Sequence, residues 1–190
     1  MLFCFHMMKQ SKNLLKIVVV GDNKVGKTTL IRWKTSGSYQ DLTGPSEVFY
    51  PTSFSVDSKL SLAGFITDCP SGSDYTTIRS CLYKNAKVIL VCYSVDDELS
   101  FFHVVRKWVP EITKHQSRIP FILVGTKSDL VAKISTNEGK QLAEKLRAAA
   151  FLECSSKDGT GIKEVFTTAL NIYTRSFAYK RRNKRPCNIM

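Results

Sequence analysis

The eight residues Gly21-Asp22-Asn23-Lys24-Val25-Gly26-Lys27-Thr28 constrain the fold of this chain more than any other stretch. They follow a β-branched apolar run, Leu14-Leu15-Lys16-Ile17-Val18-Val19-Val20, and lead into a helical pattern from about Lys27 to Lys34. A G-x-x-x-x-G-K-[ST] loop between a strand and a helix turns successive backbone N–H groups toward one point at the helix N-terminus, where an anion is stabilised. Lys27 adds a full charge against the β/γ oxygens of a nucleotide, and Thr28 places its hydroxyl on Mg²⁺. The residues of this stretch expected to touch nucleotide are Gly21, Asn23, Lys24, Val25, Gly26, Lys27, Thr28 and Thr29.

Downstream, short apolar runs alternate with longer segments of helical period, the pattern of a sheet covered by helices on both faces. Residues 35–46 are polar and turn-rich, and two strands near 53–58 and 60–68 form a hairpin bending at Asp57-Ser58-Lys59. Val88-Ile89-Leu90-Val91-Cys92-Tyr93 is apolar at every position, as in a strand buried on both faces. Further strands are expected at Phe121–Val124 and Phe151–Cys154, and further helices near 75–84, 99–115, 135–149 and 161–177. Phe101, Val104, Val105, Trp108 and Ile112 form a core stripe, with Pro110 expected to kink that helix or end its regular part. Ser135-Thr136-Asn137-Glu138 reads as a capping box. The expected fold is a three-layer α/β P-loop domain with a six-stranded, mostly parallel sheet, one antiparallel strand and about five helices on both faces.

The 190 residues suffice for one domain, and 43% apolar against 23% charged residues excludes a disordered chain. A formal charge of +12 asks for an acidic partner, yet five of the 28 basic residues fall within the last eleven positions. A terminal cluster fits an anionic membrane better than nucleic acid. The six cysteines show neither CxxC pairs nor metal spacing, which points to a reduced, cytosolic chain. The apolar residues 1–8 are too short for a signal h-region, and no run is long enough to span a membrane.

Thr126-Lys127-Ser128-Asp129, at a strand end, offers a means of reading guanine. A carboxylate accepts from both the ring N–H and the exocyclic amine, an arrangement adenine cannot supply, while a lysine stem lies over the ring. Cys154-Ser155-Ser156-Lys157 can offer backbone N–H groups to the guanine carbonyl. With these motifs in order behind the P-loop, the chain resembles the Ras superfamily of small GTPases over about residues 14–190. It is most like the Rho family, through Tyr50-Pro51-Thr52, Asp74-Tyr75, Lys107-Trp108-Val109-Pro110-Glu111-Ile112, Gly125–Leu130 and Glu153-Cys154-Ser155.

The resemblance implies GTP and GDP as ligands, with Mg²⁺ held by Thr28, by Thr52 as the switch threonine, and by Asp68 through water. It makes Thr126, Lys127, Asp129, Ser155, Ser156 and Lys157 the base-reading set, with Ser71 offering its backbone N–H to the γ-phosphate. Tyr39 is the choice for the aromatic covering the guanine edge, with Phe49 and Tyr50 as alternatives.

The departures matter as much. Where the family has D-x-x-G and a water-orienting glutamine, this chain has Asp68-Cys69-Pro70-Ser71 and Gly72. Phosphoryl transfer depends on positioning and electrostatics, so slow hydrolysis is expected and no catalytic residue is assigned. Asn23 and Lys24 occupy P-loop positions where the family keeps small residues. The 24 positions from Thr28 to Thr52 exceed the Rho pattern and imply an enlarged first switch, while Asp129 to Ser155, 26 positions, leaves no room for the extra Rho helix.

Cys187-Asn188-Ile189-Met190 fits a C-a-a-X prenylation signal, preceded by Lys180-Arg181-Arg182-Asn183-Lys184-Arg185. A single lipid anchors weakly, and adjacent basic charges make up the difference on an anionic leaflet. The expected organisation is an N-terminal tail (1–13), a GTPase domain (14–178) and a polybasic, prenylated tail (179–190). It implies a monomeric switch on the cytoplasmic face of a membrane that meets effector proteins and exchange factors. The alternative is a module that stays loaded with GTP.

Overall fold

A computed structural model describes residues 14–39, 47–57 and 60–182, with backbone alone for 56–57, 60 and 177–182. The N-terminal tail and the Cys187 lipidation signal lie outside the described residues. Six strands form one sheet: β1 (Leu15–Gly21), β2 (Phe49–Asp57), β3 (Leu60–Asp68), β4 (Val88–Ser94), β5 (Phe121–Thr126) and β6 (Ala150–Cys154), in the order β2-β3-β1-β4-β5-β6. β2 alone runs antiparallel to its neighbour. The expected six-stranded sheet, mostly parallel with one antiparallel strand, is therefore the one observed.

β1 and β4 are buried at all seven positions, which is why their sequences carry no alternation. One face packs Ile17, Val19, Leu90 and Val124 against Leu30, Val165, Phe166 and Ala169; the other packs Val18, Ile89, Val91 and Leu123 against Tyr83, Val104, Trp108 and Ile112.

Five helical segments, among the described residues, cover the sheet. They are α1 (Lys27–Ser36), α2 (Thr76–Tyr83, after a 3₁₀ turn at Ser73–Tyr75), α3, α4 (Thr136–Lys145) and α5 (Ile162–Arg182). α3 consists of Glu98–His103 and Val109–Gln116 joined by a π-helical turn at Val104–Trp108. Pro110 does not end this helix. It lacks an N–H to donate to the carbonyl of Arg106, and the ladder instead shifts ahead of it to i→i+5 bonds, as between the Val109 N–H and the Val104 carbonyl. Val105 leaves the expected core stripe and is exposed, whereas Val104, Trp108 and Ile112 are buried.

The Ser135 capping box is complete: its hydroxyl receives the Glu138 N–H at 3.2 Å, and the Glu138 carboxylate takes the Ser135 N–H at 2.8 Å. α4 stops at Lys145 rather than near 149, because Arg147 turns into the left-handed region (φ 56). The inner stripe of α5, Ile162, Val165, Phe166, Ala169, Leu170 and Tyr173, is buried as expected. The helix itself runs past residue 177 to Arg182, into the basic segment.

All parallel strands deliver their carboxyl ends to one edge of the sheet. The chain leaves β1 toward one side, by way of β2 and β3, and then recrosses to β4. In open α/β sheets, ligands bind outside the carboxyl ends at such a reversal.

Candidate functional site

At that edge, Gly21 closes β1 with φ 146, and a Cβ there would lie 2.3 Å from the Cys92 carbonyl oxygen, so no larger residue fits. Gly26 (φ 87) sets the N-cap of α1, and Lys24 also takes a left-handed conformation (φ 62). Asn23 and Lys24 are exposed, and the Asn23 Oδ1 accepts the Lys24 N–H at 3.0 Å, so the side chain folds back on an amide of its own loop.

Lys27 is buried, and its Nζ donates to the Asp22 carbonyl at 2.6 Å and to Ser71 Oγ at 2.8 Å. Burial lowers its pKa, against the opposing field of Asp68. The Thr28 hydroxyl donates to the Asp68 carboxylate. These contacts join the loop after β1 to the end of β3, as the motif order requires. Two hydroxyls tie in the base-reading motifs. Thr126 Oγ1 lies 2.5 Å from the buried Val25 carbonyl and 2.8 Å from that of Tyr93, which fastens the end of β5 to the glycine loop. Ser155 Oγ donates to Asp129 Oδ1 at 2.6 Å and receives the Lys157 N–H at 3.1 Å. Lys127 (φ 57) keeps its ammonium 3.9 Å from Asp96. Thr29 and Ser156 are half-buried beside them.

Thr52 is not brought to this site. It lies inside β2, which starts at Phe49, and pairs with Gly64, itself opposite Leu15 at the entry of β1. Leu15 and Gly21 are the two ends of a seven-residue strand, so at about 3.3 Å per residue Thr52 is on the order of 20 Å from the glycine loop. The enlarged first switch inferred from the Thr28–Thr52 spacing falls with it. The residue that does approach is Val48, whose carbonyl accepts the Asp68 N–H at 3.0 Å.

A second layer, which sequence reasoning missed, braces the loops from behind. The Asp22 carboxylate accepts Trp108 Nε1–H at 2.9 Å and meets His103 Nδ1 at 2.5 Å, while Lys107 Nζ donates to the Ser71 carbonyl at 2.8 Å. In an α-helix, residues five apart diverge by about 140°; the π turn brings position 108 back over 103, so that His103, Lys107 and Trp108 all reach the site. The buried Arg79 fills its guanidinium with Glu111 (2.7 Å to each carboxylate oxygen), Thr76 Oγ1 (3.0 Å) and the carbonyls of Pro70 (3.0 Å) and Gly72 (2.6 Å). An arginine in the i, i+3, i+4 stripe with Leu82 and Tyr83 was the available signal.

The sequence matches a family model described as the Ras family over residues 16–175. The chain belongs to the Ras family of small GTPases. Its relatives place it among Rho-type members. GTP-binding protein RHO1 of Candida albicans is 35% identical, covering 92% of this chain and 95% of the relative. Human Rho-related GTP-binding protein RhoF is 33% identical (90% and 88%), and Rho-related protein racI of Dictyostelium discoideum is 33% identical (82% and 84%). As a Ras-family domain the chain lacks the extra Rho helix: between β5 and β6, α4 is the single helix. It also departs in the segment after Asp68, where Gly72 has an ordinary extended conformation (φ −61, ψ 150) that any residue can adopt.

Family membership implies Mg²⁺. The Thr28 hydroxyl and the Asp68 carboxylate, already in contact, are hard oxygen donors of the kind this ion takes, so the residues present fit it. Bound there, the ion would supply charge neutralisation between phosphate oxygens.

Proposed function

We propose that this Rho-type domain binds GTP and GDP with Mg²⁺ at the carboxyl edge of its sheet and works as a membrane-anchored switch with slow hydrolysis. The observation that carries the reading is the junction of Lys27 and Thr28 with the Asp68–Ser71 segment, because the lysine and hydroxyl that hold phosphate and ion also hold the loop that must sense them. On this reading Gly21, Asn23, Lys24, Val25, Gly26, Lys27, Thr28 and Thr29 cradle phosphates; a phosphate takes the Lys24 amide from the Asn23 carboxamide and draws Lys27 off Ser71. Asp129, held by Ser155, reads the base between Lys127 and the 154–157 loop, with Thr126 anchoring that strand end, Ser156 and Lys157 beside it, and Tyr39 at its edge. Asp68 completes the ion site with Thr28; Thr52, paired with Gly64 in β2, is not part of it, so Thr52→Ala should leave Mg²⁺-dependent GTP retention unchanged while Thr28→Ala weakens it.

Effectors would meet the edge strand β2 and segment 69–80, and exchange factors the same region. Gly72 offers no side chain to hold the attacking water, so turnover is slow. In single-turnover GTP hydrolysis, Gly72→Gln should react about a hundredfold faster than the parent, the low end for a positioned catalytic group. Equal rates would defeat this reading. A parent with no measurable turnover at all would favour the permanently loaded module, which the same absent side chain also supports.

Anchoring is assigned to a prenylated Cys187 with the 180–185 basic run, at the cytoplasmic face of a membrane; no helix among the described residues is long and apolar enough to cross one. Unchanged membrane fractionation of Cys187→Ser would remove the lipid from the account. The organisation supported is a domain from about residue 14 to 178, acting as a monomer, with flanking tails.

A further inference from the structure

Charge is divided along the strand axis. The connections at the carboxyl edge (22–26, 69–75, 95–98, 127–135 and 155–161) hold seven carboxylates against four lysines. Three of those at the opposite edge (84–87, 114–120 and 144–149) hold Lys84, Lys87, Lys114, Arg118, Lys145 and Arg147 against Glu144 alone, while the β2–β3 turn at the outer end of the same edge adds Asp57. All of these cations but the half-buried Lys87 are exposed, and none is ion-paired with a described carboxylate. Backbone bonds from Lys87 N to Lys16 O, Ile89 N to Pro120 O and Ala149 N to Phe121 O hold the three connections side by side at the strand entries.

Part of this bias follows from helix C-termini, which favour cations: Lys114 and Lys145 lie in last turns. Lys87, Arg118 and Arg147 lie beyond any helix, and Arg147 occupies a left-handed position usually given to glycine. The same edge is where the chain ends. α5 starts beside the carboxyl edge and runs 21 residues, about 31 Å, against about 23 Å for a seven-residue strand. Its last turn, Lys180-Arg181-Arg182, therefore reaches the level of these connections or passes it.

We propose that this strand-entry face is a docking surface for an anionic lipid bilayer, with the nucleotide edge pointing away. The proposal rests on the membrane reading given above and adds to it a surface of the folded domain, distinct from the tail. Charge complementarity and the tail's exit on this side identify the occupant; the cations sit on three short connections at one end, with the His115 imidazole as the single aromatic ring exposed among them, too few for a base-stacking platform.

The test uses the full chain carrying Cys187→Ser, so that no lipid contributes. Its binding to vesicles of 70% phosphatidylcholine and 30% phosphatidylserine is compared with the same chain bearing Lys84→Gln, Lys114→Gln, Arg118→Gln and Lys145→Gln, which keeps the basic tail intact. The expected result is a loss of partitioning of about tenfold or more, erased in both chains by high salt and absent on pure phosphatidylcholine. Unchanged nucleotide release would verify the fold, since that site lies at the other edge. Equal partitioning of the two chains would overturn the proposal and leave the tail as the only contact. Tighter binding of the parent to a DNA duplex than to the vesicles would overturn it in favour of nucleic acid. Failure of the prenyl anchor would appear only in fractionation of the lipidated protein, so the two ideas fail separately.

Discussion

Replacing Arg79 by Met tests how firmly the segment after Asp68 is fixed. The guanidinium is fully buried and makes five hydrogen bonds, two to Glu111 and two to the Pro70 and Gly72 carbonyls, with its carbon 5.2 Å from the Trp108 ring centre. Methionine roughly fills the volume but leaves the Glu111 carboxylate, 11% exposed, with only the Tyr83 hydroxyl as a direct partner. Removing one member of a buried pair costs about 3–5 kcal/mol, roughly a fifth or more of the stability of an ordinary domain. The two carbonyls add less, because Pro70 is half-buried and Gly72 exposed, so water can serve them. With Glu111→Leu added, no charge is stranded, and the double variant should recover about 2–3 kcal/mol of the loss as coupling energy. Urea unfolding in excess GDP and Mg²⁺ reads both numbers. At about 2 kcal/mol/M the single variant should lose roughly 1.5–2.5 M in midpoint with an unchanged slope. A single-variant loss below about 1 kcal/mol, or a double variant no better than the single one, would refute the claim that Arg79 is the clamp.

Burial alone would raise the Glu111 carboxyl, but hydrogen bonds from Arg79 and Tyr83 and the charges of Arg79 and Lys107 hold it below its ordinary value. Its contribution to stability is therefore complete above the ordinary value of 4.5 and is lost as pH falls through the lowered one; urea midpoints between pH 6 and pH 3 should fall more steeply in the parent than in Arg79→Met/Glu111→Leu. Trp33 packs where a Cβ on Gly159 would come within 2.5 Å of its ring, underneath the loop that carries Ser155 and Lys157. Trp33→Ala should accelerate release of a fluorescent GDP at least about fivefold, with Trp33→Phe restoring most of the retention; equal rates for Ala and parent would show that the ring does not support that loop. Ser135→Ala removes the hydroxyl side of the α4 capping box, leaving the backbone N–H at 135 to Glu138, and should cost about 1 kcal/mol in urea unfolding with nucleotide release unchanged.

The glycine loop, the buried strand β4 and the Ser135 box were legible in the sequence because each is a local pattern whose physics closes within a few residues. Thr52 was misplaced because Tyr50-Pro51-Thr52 resembles a family tripeptide, and that likeness outweighed the strand pattern around it. Pro51 in β2 did not argue against a strand, since β2 is the edge of the sheet, where a missing N–H costs little. Arg79 and Glu111 are 32 positions apart, and neither has a neighbour that betrays the other. The early end of α4 hinged on one arginine taking a left-handed turn, a conformation that propensity assigns to glycine.

The π turn in α3 has a consequence for how this helix tolerates length changes. A turn closed by i→i+5 bonding is equivalent to one residue inserted into a regular helix. Deleting a residue between 104 and 108 would let the ladder close in α-helical register apart from the one bond that Pro110 cannot donate, and the flanking segments would keep the faces they now show to the sheet. The cost would fall elsewhere: Asp22 and Ser71 could no longer be reached together by His103, Lys107 and Trp108. A shortened α3 would thus yield a domain with an intact core and loosened loops around the nucleotide, uncoupling fold from function through the loss of one residue.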